Sequence, residues 1–418
     1  MADTKHPFVL TRLSVMMFLQ FFVWGAWYVT VGNYMGEHFM GKVVFWAYTV
    51  GPIAAIISPF FLGMIADRFF ASEHVLAVMH LLGGGALLLA PLVAPTQQGG
   101  SHWPFIGVLM LHMLCYMPTL ALTTSLSFHN LASQEKQFPI IRVWGTIGWI
   151  AANWVVSGLM QADRSEQQFY VAGGAALLLG VMSFMLPHTP PPAKGKAFST
   201  RDALGIDALS LLKRPSFAVF IVCSFLICIP LAAYYAYAPV FVGDLGVAAP
   251  GSRMLWGQVS EIVFMLVMPL FFVRLGVRWM LLIGMLAWVA RYGLFSIGAN
   301  DDVMWMIMFG IILHGICYDF FFVTGMIYVD KAAPARIRGQ AQGFLVLITQ
   351  GLGLGIGAQV IGRIVASNTG VDGVKDWQMI WLIPCVMAGA IALIFLLLFR
   401  EKNKRGLSGA EMSEGRRV

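Results

Sequence analysis

Between Arg214 and Asp244 the chain reads Pro215-Ser-Phe-Ala-Val-Phe-Ile-Val-Cys-Ser-Phe-Leu-Ile-Cys-Ile-Pro-Leu-Ala-Ala-Tyr-Tyr-Ala-Tyr-Ala-Pro-Val-Phe-Val-Gly243, without one charged side chain. A helix crosses the ~30 Å apolar core of a bilayer with about 20 such residues. The same gap between charges recurs on both sides of this stretch. It runs Arg12–Glu37, Lys42–Asp67, Arg142–Asp163, Glu166–Lys194, Arg338–Arg363 and Asp376–Arg400. Glu73–Glu135 is long enough for two crossings with a turn at Ala94–Pro104. Three further apolar segments hold one charge each: 254–273 with Glu261, 279–299 with Arg291, and 303–329 with Asp319. The count is twelve spans. Lipid cannot satisfy an open backbone, so they are read as helices. The first, apolar from Leu13 onward, is too long for a signal-peptide core and is read as a retained helix.

Composition agrees. Of 418 residues, 59% are hydrophobic and 11% charged, against roughly 25% charged in a soluble domain. That excludes a soluble enzyme, and the wealth of apolar residues excludes disorder. The five cysteines (Cys115, Cys223, Cys228, Cys317 and Cys385) are odd in number and lack metal-ligand spacing. They are read as packing residues, with no metal and no cofactor expected. No Walker loop and no H-E-x-x-H is present. Gly406-Leu-Ser-Gly409 resembles a fragment of a serine-hydrolase motif but lies in a charged tail. The chain is not expected to be an enzyme.

Basic residues set the orientation. With the N-terminus inside, 21 of the 27 lysines and arginines fall in cytoplasmic segments, and both termini are cytoplasmic. This asymmetry accounts for the net charge of +7 without a nucleic-acid partner. The longest polar linker, His188–Pro215, contains Pro190, Pro191 and Pro192 and follows the sixth span. It divides the chain into a six-helix bundle over 1–187, a cytoplasmic linker over 188–215, a second six-helix bundle over 216–400, and a cytoplasmic tail over 401–418. The expected fold class is all-α integral membrane, with two six-helix bundles in the major-facilitator arrangement. Gly63-Met-Ile-Ala-Asp67-Arg68, between spans two and three, resembles that superfamily's G-x-x-x-D-R loop. Arg274-Leu-Gly-Val-Arg278 stands at the matching place in the second half.

A charge at mid-membrane costs roughly 2.5–3.5 kcal/mol even on lenient scales, so those kept there point to a cavity. Glu261 shares a helix face with Gln258 and suits a polar solute or a proton-coupling step. The alternative for Glu261 is a structural ion pair with Arg291 or Arg142. Asp319 follows His314 and Tyr318, which lie one turn apart and could relay protons or bind solute. In span five, Arg142, Thr146, Trp149 and Asn153 recur at helical spacing and form one continuous face. Span seven offers Pro230, where a helix can break, and then Tyr234, Tyr235 and Tyr237 for a ring-bearing ligand. Gln20, Trp24 and Trp27 form a stripe in span one that suits cavity or core equally. His80 and His112 are read as satisfied interior histidines.

Several strings in order carry a family resemblance: Trp24-Gly-Ala-Trp27, Tyr116-Met-Pro-Thr119, Phe138-Pro-Ile-Ile-Arg142-Val-Trp-Gly-Thr146-Ile-Gly148, Leu204-Gly-Ile-Asp-Ala208, Gln258-Val-Ser-Glu261, Tyr318-Asp319-Phe320 and Ala341-Gln342-Gly343. The chain resembles the nucleoside:proton symporter family of bacterial nucleoside permeases, and is nearest a branch assigned by sequence alone. The resemblance implies proton-coupled uptake of nucleosides across the bacterial inner membrane by alternating access, the chain acting as a monomer. It implies that Arg142 and Thr146 are polar site residues, and that Gln258 and Glu261 hydrogen-bond the nucleoside. Asp319 matches a site acid and, with Glu261, would couple protons. Trp149 stands for a Phe, Tyr318 for a Phe and His314 for a Tyr. Three positions depart from the pattern: Ala232 and Tyr235 align with a Gln and an Asn, and Thr124 with an Asn. Those departures keep another glycoside or sugar-like metabolite open as the solute. A solute-sensing membrane receptor is the reading from another class.

Overall fold

The computed structural model describes residues 8–61, 69–191, 206–300, 303–334 and 337–400. Twelve helical spans follow one another in it. Nine segments among the described residues are long and apolar enough to cross a membrane. Eight of these are single spans. They comprise Val9–Tyr28, continued as Val31–Glu37, then Val44–Phe61, Ser72–Leu89, Trp103–Asn130, Pro215–Asp244, Met304–Ala332, Arg338–Ser367 and Trp377–Leu398. The ninth, Pro250–Ala299, holds spans eight and nine. They part at Gly276, whose φ of 68° and ψ of 176° are open essentially to glycine alone. That residue lies inside Arg274-Leu-Gly-Val-Arg278, the turn marked by its arginine pair, and Arg278 Nη2 ties it to the Leu396 carbonyl of span twelve at 2.9 Å. Span five is Gln134–Asn153 continued by a π-helical turn, Trp154–Leu159, and span six is Gln167–Ser183.

Small residues let these helices approach closely, as expected where lipid supplies no hydrophobic drive between them. Spans one and five cross at Gly25, Gly145 and Gly148; a Cβ on Gly148 would overlap the Phe18 carbonyl. Spans eight and ten cross at Gly257 and Gly315, and a Cβ on Gly315 would meet the Ser260 carbonyl. The Gly315 N–H instead donates to Ser260 Oγ at 2.9 Å. Gly148→Ala is expected to cost about 1–3 kcal/mol of stability through this overlap, read as a lower unfolding temperature in detergent. An unchanged temperature would mean that spans one and five are not locked there.

Among the contacts between spans one to six and spans seven to twelve in the described residues, two stand out. Span eleven lies along span two, where Gly351, Gly355 and Gly362 face Ile56, Pro52 and Phe45, and Gln359 Nε2 donates to Thr49 Oγ1 at 2.9 Å. The second lies at the end of the bundle that carries the 159–167 and 244–250 turns. The Asp163 carboxylate accepts from the Gly251 N–H at 2.9 Å and from the Ser157 hydroxyl at 2.8 Å. Ser157 Oγ in turn accepts from the Ser252 N–H at 2.8 Å. The first N–H groups of span eight are thus capped by a carboxylate and a hydroxyl from the other half, where the helix dipole favours negative charge. Burial pushes the Asp163 carboxyl above its ordinary range, while the Gly251 and Ser157 donors pull it down. Arg164 reaches Glu37 at 2.7 Å and the Gly243 carbonyl at 3.4 Å on the same end.

Expectations for several single residues meet the structure here. Pro230 does not break span seven, which runs unbroken over Pro215–Asp244; its carbonyl accepts from the Tyr292 hydroxyl at 2.9 Å. Gln20 and Trp27 are core, and Gln20 bridges Thr119 at 2.7 Å and His80 at 2.8 Å. His112 bonds the Gly83 carbonyl through Nδ1, but its Nε2 is buried without a partner. The linker begins as a fixed segment, since Glu73 accepts from His188 Nδ1 at 2.7 Å and the Thr189 N–H at 2.9 Å. The Gly63–Arg68 loop, most of the linker (192–205) and the 401–418 tail lie outside the described residues.

Candidate solute cavity

Four spans converge on one cavity with about 420 Å³ of empty space, its open mouth included. Tyr28 and Val29 come from span one, Trp149 and Asn153 from span five. Tyr234, Tyr235 and Pro239 come from span seven, and Met254, Leu255 and Gln258 from span eight. Four aromatic rings and two amides therefore wall it, a lining suited to a flat ring with polar edges. The Trp149 indole packs edge-on against Trp24, ring centroids 5.6 Å apart, and near Tyr28 at 6.4 Å. Tyr28 meets Tyr48 at 5.0 Å. These contacts hold the Trp149 and Tyr28 rings in place, so Trp24 stands behind the cavity wall.

One helical turn along span eight from Gln258 lies Glu261, largely buried. It is the hub of the charged groups. Arg142, Tyr234, Tyr235, Tyr318 and Asp319 all lie within electrostatic reach of its carboxylate. His314 Nε2 is 3.8 Å from Glu261 Oε2. Among the described residues that imidazole, not Arg291 or Arg142, is the base in ion-pair range of Glu261, so neither alternative ion pair forms. The close crossing at Gly257 and Gly315 produces this pairing, because it sets span eight directly against the His314 turn.

Span ten is irregular at the level of these charged groups. His314–Tyr318 is a short helix after a turn at Leu313, and Asp319–Val323 is a π-helical turn. Such bulges recur at functional sites because they re-aim side chains and loosen the backbone ladder. Asp319 is fully buried and neither carboxylate oxygen has a partner. A buried acid without a donor is costly. Tyr318 packs between His314 at 5.9 Å and Phe322 at 5.3 Å.

The residues proposed from sequence thus divide by position. Trp149, Tyr235 and Gln258 line the cavity. Glu261, His314, Tyr318 and Asp319 form the acid-bearing layer beside it. Arg142 is exposed, with its guanidinium over the Phe21 ring at 4.4 Å, and reaches the cluster only through its charge. Thr146 is half-buried between Arg142 and Trp149 and lines no part of the cavity. Ala232 is buried in the core, packed near Gly357, and supplies no polar group. Tyr237 is core as well. Tyr28, Pro239, Met254 and Leu255 were not foreseen. Their sequence signal is that of any apolar span residue, and only the convergence of helices distinguishes them.

Arg291 also lies deeper than its sequence suggested. It is fully buried, its Nε donates to the Gly310 carbonyl at 3.0 Å, and its guanidinium sits 4.0 Å from the Tyr234 ring centre.

Comparison with known proteins agrees with this architecture. The chain is 40% identical to an Escherichia coli protein named "Putative nucleoside transporter YegT", over 94% of each chain. It is 35% identical to the xanthosine permease of the same organism, over 94% of this chain and 96% of that one. The solved structure of nucleoside transporter NupG superposes with a TM-score of 0.84 at 31% identity, covering 94% of this chain and all of that one. The profile of the Nucleoside H+ symporter family matches residues 8–404. With twelve spans, an aromatic cavity and two buried acids beside it, the chain belongs to the Nucleoside H+ symporter family and is a multi-pass membrane transporter, not an enzyme.

Proposed function

We propose that the protein takes up nucleosides together with protons across the bacterial inner membrane, by alternating access around this cavity. The observation that carries the reading is a ring-sized aromatic cavity beside two buried acids, one of them, Asp319, without any hydrogen-bond partner. Trp149, Tyr28 and Tyr235 would stack against the base, and Gln258 would bond its polar edge or the ribose. Glu261 would bond the nucleoside and, with Asp319, hold the transported proton. Arg142 and Thr146 would guide the solute on the side away from the capped end. His314 and Tyr318 would orient the two acids.

The halves 1–187 and 216–400 are the two rocking bodies, joined by the 188–215 linker. With both termini cytoplasmic, the end closed by Asp163, Ser157, Gly251 and Ser252 faces outward, so this conformation is closed to the outside.

Competition in proteoliposomes tests the solute class. Unlabelled nucleosides are expected to displace a labelled nucleoside, and free bases or sugars are not. A sugar that competes while nucleosides do not would favour the other reading, in which Ala232 and Tyr235 mark a carrier of a different glycoside. Stacking of a base on an aromatic side chain is worth ~1–3 kcal/mol. Trp149→Ala is therefore expected to raise the half-saturation for nucleoside by about ten- to a hundredfold, measured by counterflow. An unchanged value would remove Trp149 from the site.

A further inference from the structure

Arg291 is an anomaly that the cavity does not explain. It sits on span nine, fully buried, and does not line the solute cavity. Both terminal nitrogens lack a hydrogen-bond partner, and no carboxylate pairs with it among the described residues. A permanent cation in such a place costs free energy that an apolar residue of like size would avoid. What it touches is specific. Its Nε bonds the Gly310 carbonyl of span ten, and its guanidinium lies over the Tyr234 ring of span seven. That ring stacks on the His314 imidazole, centroids 5.2 Å apart and planes 19° from parallel. His314 Nε2 lies 3.8 Å from Glu261. Besides Tyr234, the titratable groups within electrostatic reach of the guanidinium are His314 itself, Tyr292, Cys317 and Tyr235. One line of contacts therefore runs from span nine through spans seven and ten to the acid on span eight.

We propose that Arg291 is the positioning residue of proton coupling: it fixes the Tyr234 ring, which holds His314 against Glu261. The proposal rests on the symport reading. A guanidinium suits the role because its flat face stacks on an aromatic ring while its edge bonds a carbonyl, a pair of contacts an ammonium cannot make together. The anchor is itself close-packed: a Cβ on Gly310 would meet the Phe295 ring, and the Gly310 carbonyl accepts the Nε–H bond.

The test compares two transport modes in proteoliposomes, using uridine and adenosine as probes. Accumulation needs net proton movement, whereas counterflow exchange does not. Arg291→Met is expected to lower gradient-driven accumulation by about tenfold or more while the half-saturation of counterflow changes by less than about twofold. Arg291→Lys restores part of the accumulation, because the cation remains but the flat fork is lost. Tyr234→Leu lowers accumulation similarly, and the double variant is no worse than the weaker single one, as for residues acting in one line. Normal accumulation by Arg291→Met would overturn the proposal. So would a fall of accumulation and counterflow by one common factor, which marks a purely structural residue. If Arg291→Met does not fold, normal accumulation by Arg291→Lys and Tyr234→Leu together overturns it. Wild-type uptake that ignores the proton gradient would instead sink the symport reading itself.

Discussion

Glu261→Gln is expected to abolish accumulation of nucleoside against its gradient while some counterflow survives. Glutamine keeps the size of the side chain and its hydrogen-bonding edge, but it can neither bind nor release a proton. A hydrogen bond to a charged group contributes about 1.5–3 kcal/mol, so the half-saturation of the remaining exchange should rise about ten- to a hundredfold. His314, 3.8 Å away, would lose its charged neighbour at the same time. Asp319→Asn is expected to remove accumulation as well, with a smaller effect on exchange, since the Asp319 carboxylate is enclosed and does not line the cavity. Normal accumulation by both variants would remove the two acids from the coupling step.

Asp163→Ala is expected to open the outer end. The carboxylate receives the Gly251 N–H and the Ser157 hydroxyl, and Ser157 receives the Ser252 N–H. Alanine leaves the buried donors without an acceptor, at about 1–3 kcal/mol each. A loss of about 3 kcal/mol from the closed state shifts the balance of two conformations by about a hundredfold. Gly251 cannot easily adjust, because a Cβ there would already meet Thr30, Asp163 and Ser157, so the joint is tight on all sides. A cysteine placed at Val29, on the cavity wall, reports the change. With a membrane-impermeant maleimide applied from outside, its labelling should quicken at least about tenfold in the Asp163→Ala background. Equal labelling would mean that the capped end is not the outer gate.

The spans were legible because lipid imposes a one-dimensional rule: a stretch either lacks charge for about 20 residues or does not cross. Two of the charges that break the rule lie together, Glu261 and Asp319 being within electrostatic reach of each other across spans eight and ten. Helical spacing placed Trp149 and Asn153 on one face, and both line the cavity. Periodicity fails elsewhere because it treats each helix alone. It put Arg142 and Thr146 on the same face as Trp149, but neither residue reaches the cavity wall. It could not show that His314, rather than an arginine, stands beside Glu261, because that depends on how closely Gly257 and Gly315 let two helices approach. Arg291 looked like a partner for an acid and is instead stacked on Tyr234. The outer latch was invisible for a similar reason: Asp163 is an ordinary loop acid until span eight's N-terminus is brought to it.

In the proposed mechanism, nucleoside and proton cross together through the Trp149–Glu261–Asp319 site. The direct measurement is uptake of labelled uridine and adenosine into proteoliposomes of the full chain, with an inward proton gradient and after its collapse by a protonophore. Gradient-driven accumulation above the outside concentration, accompanied by nucleoside-dependent acidification of the lumen, is the predicted result. Uptake that only equilibrates, at the same rate with and without the gradient, would contradict it.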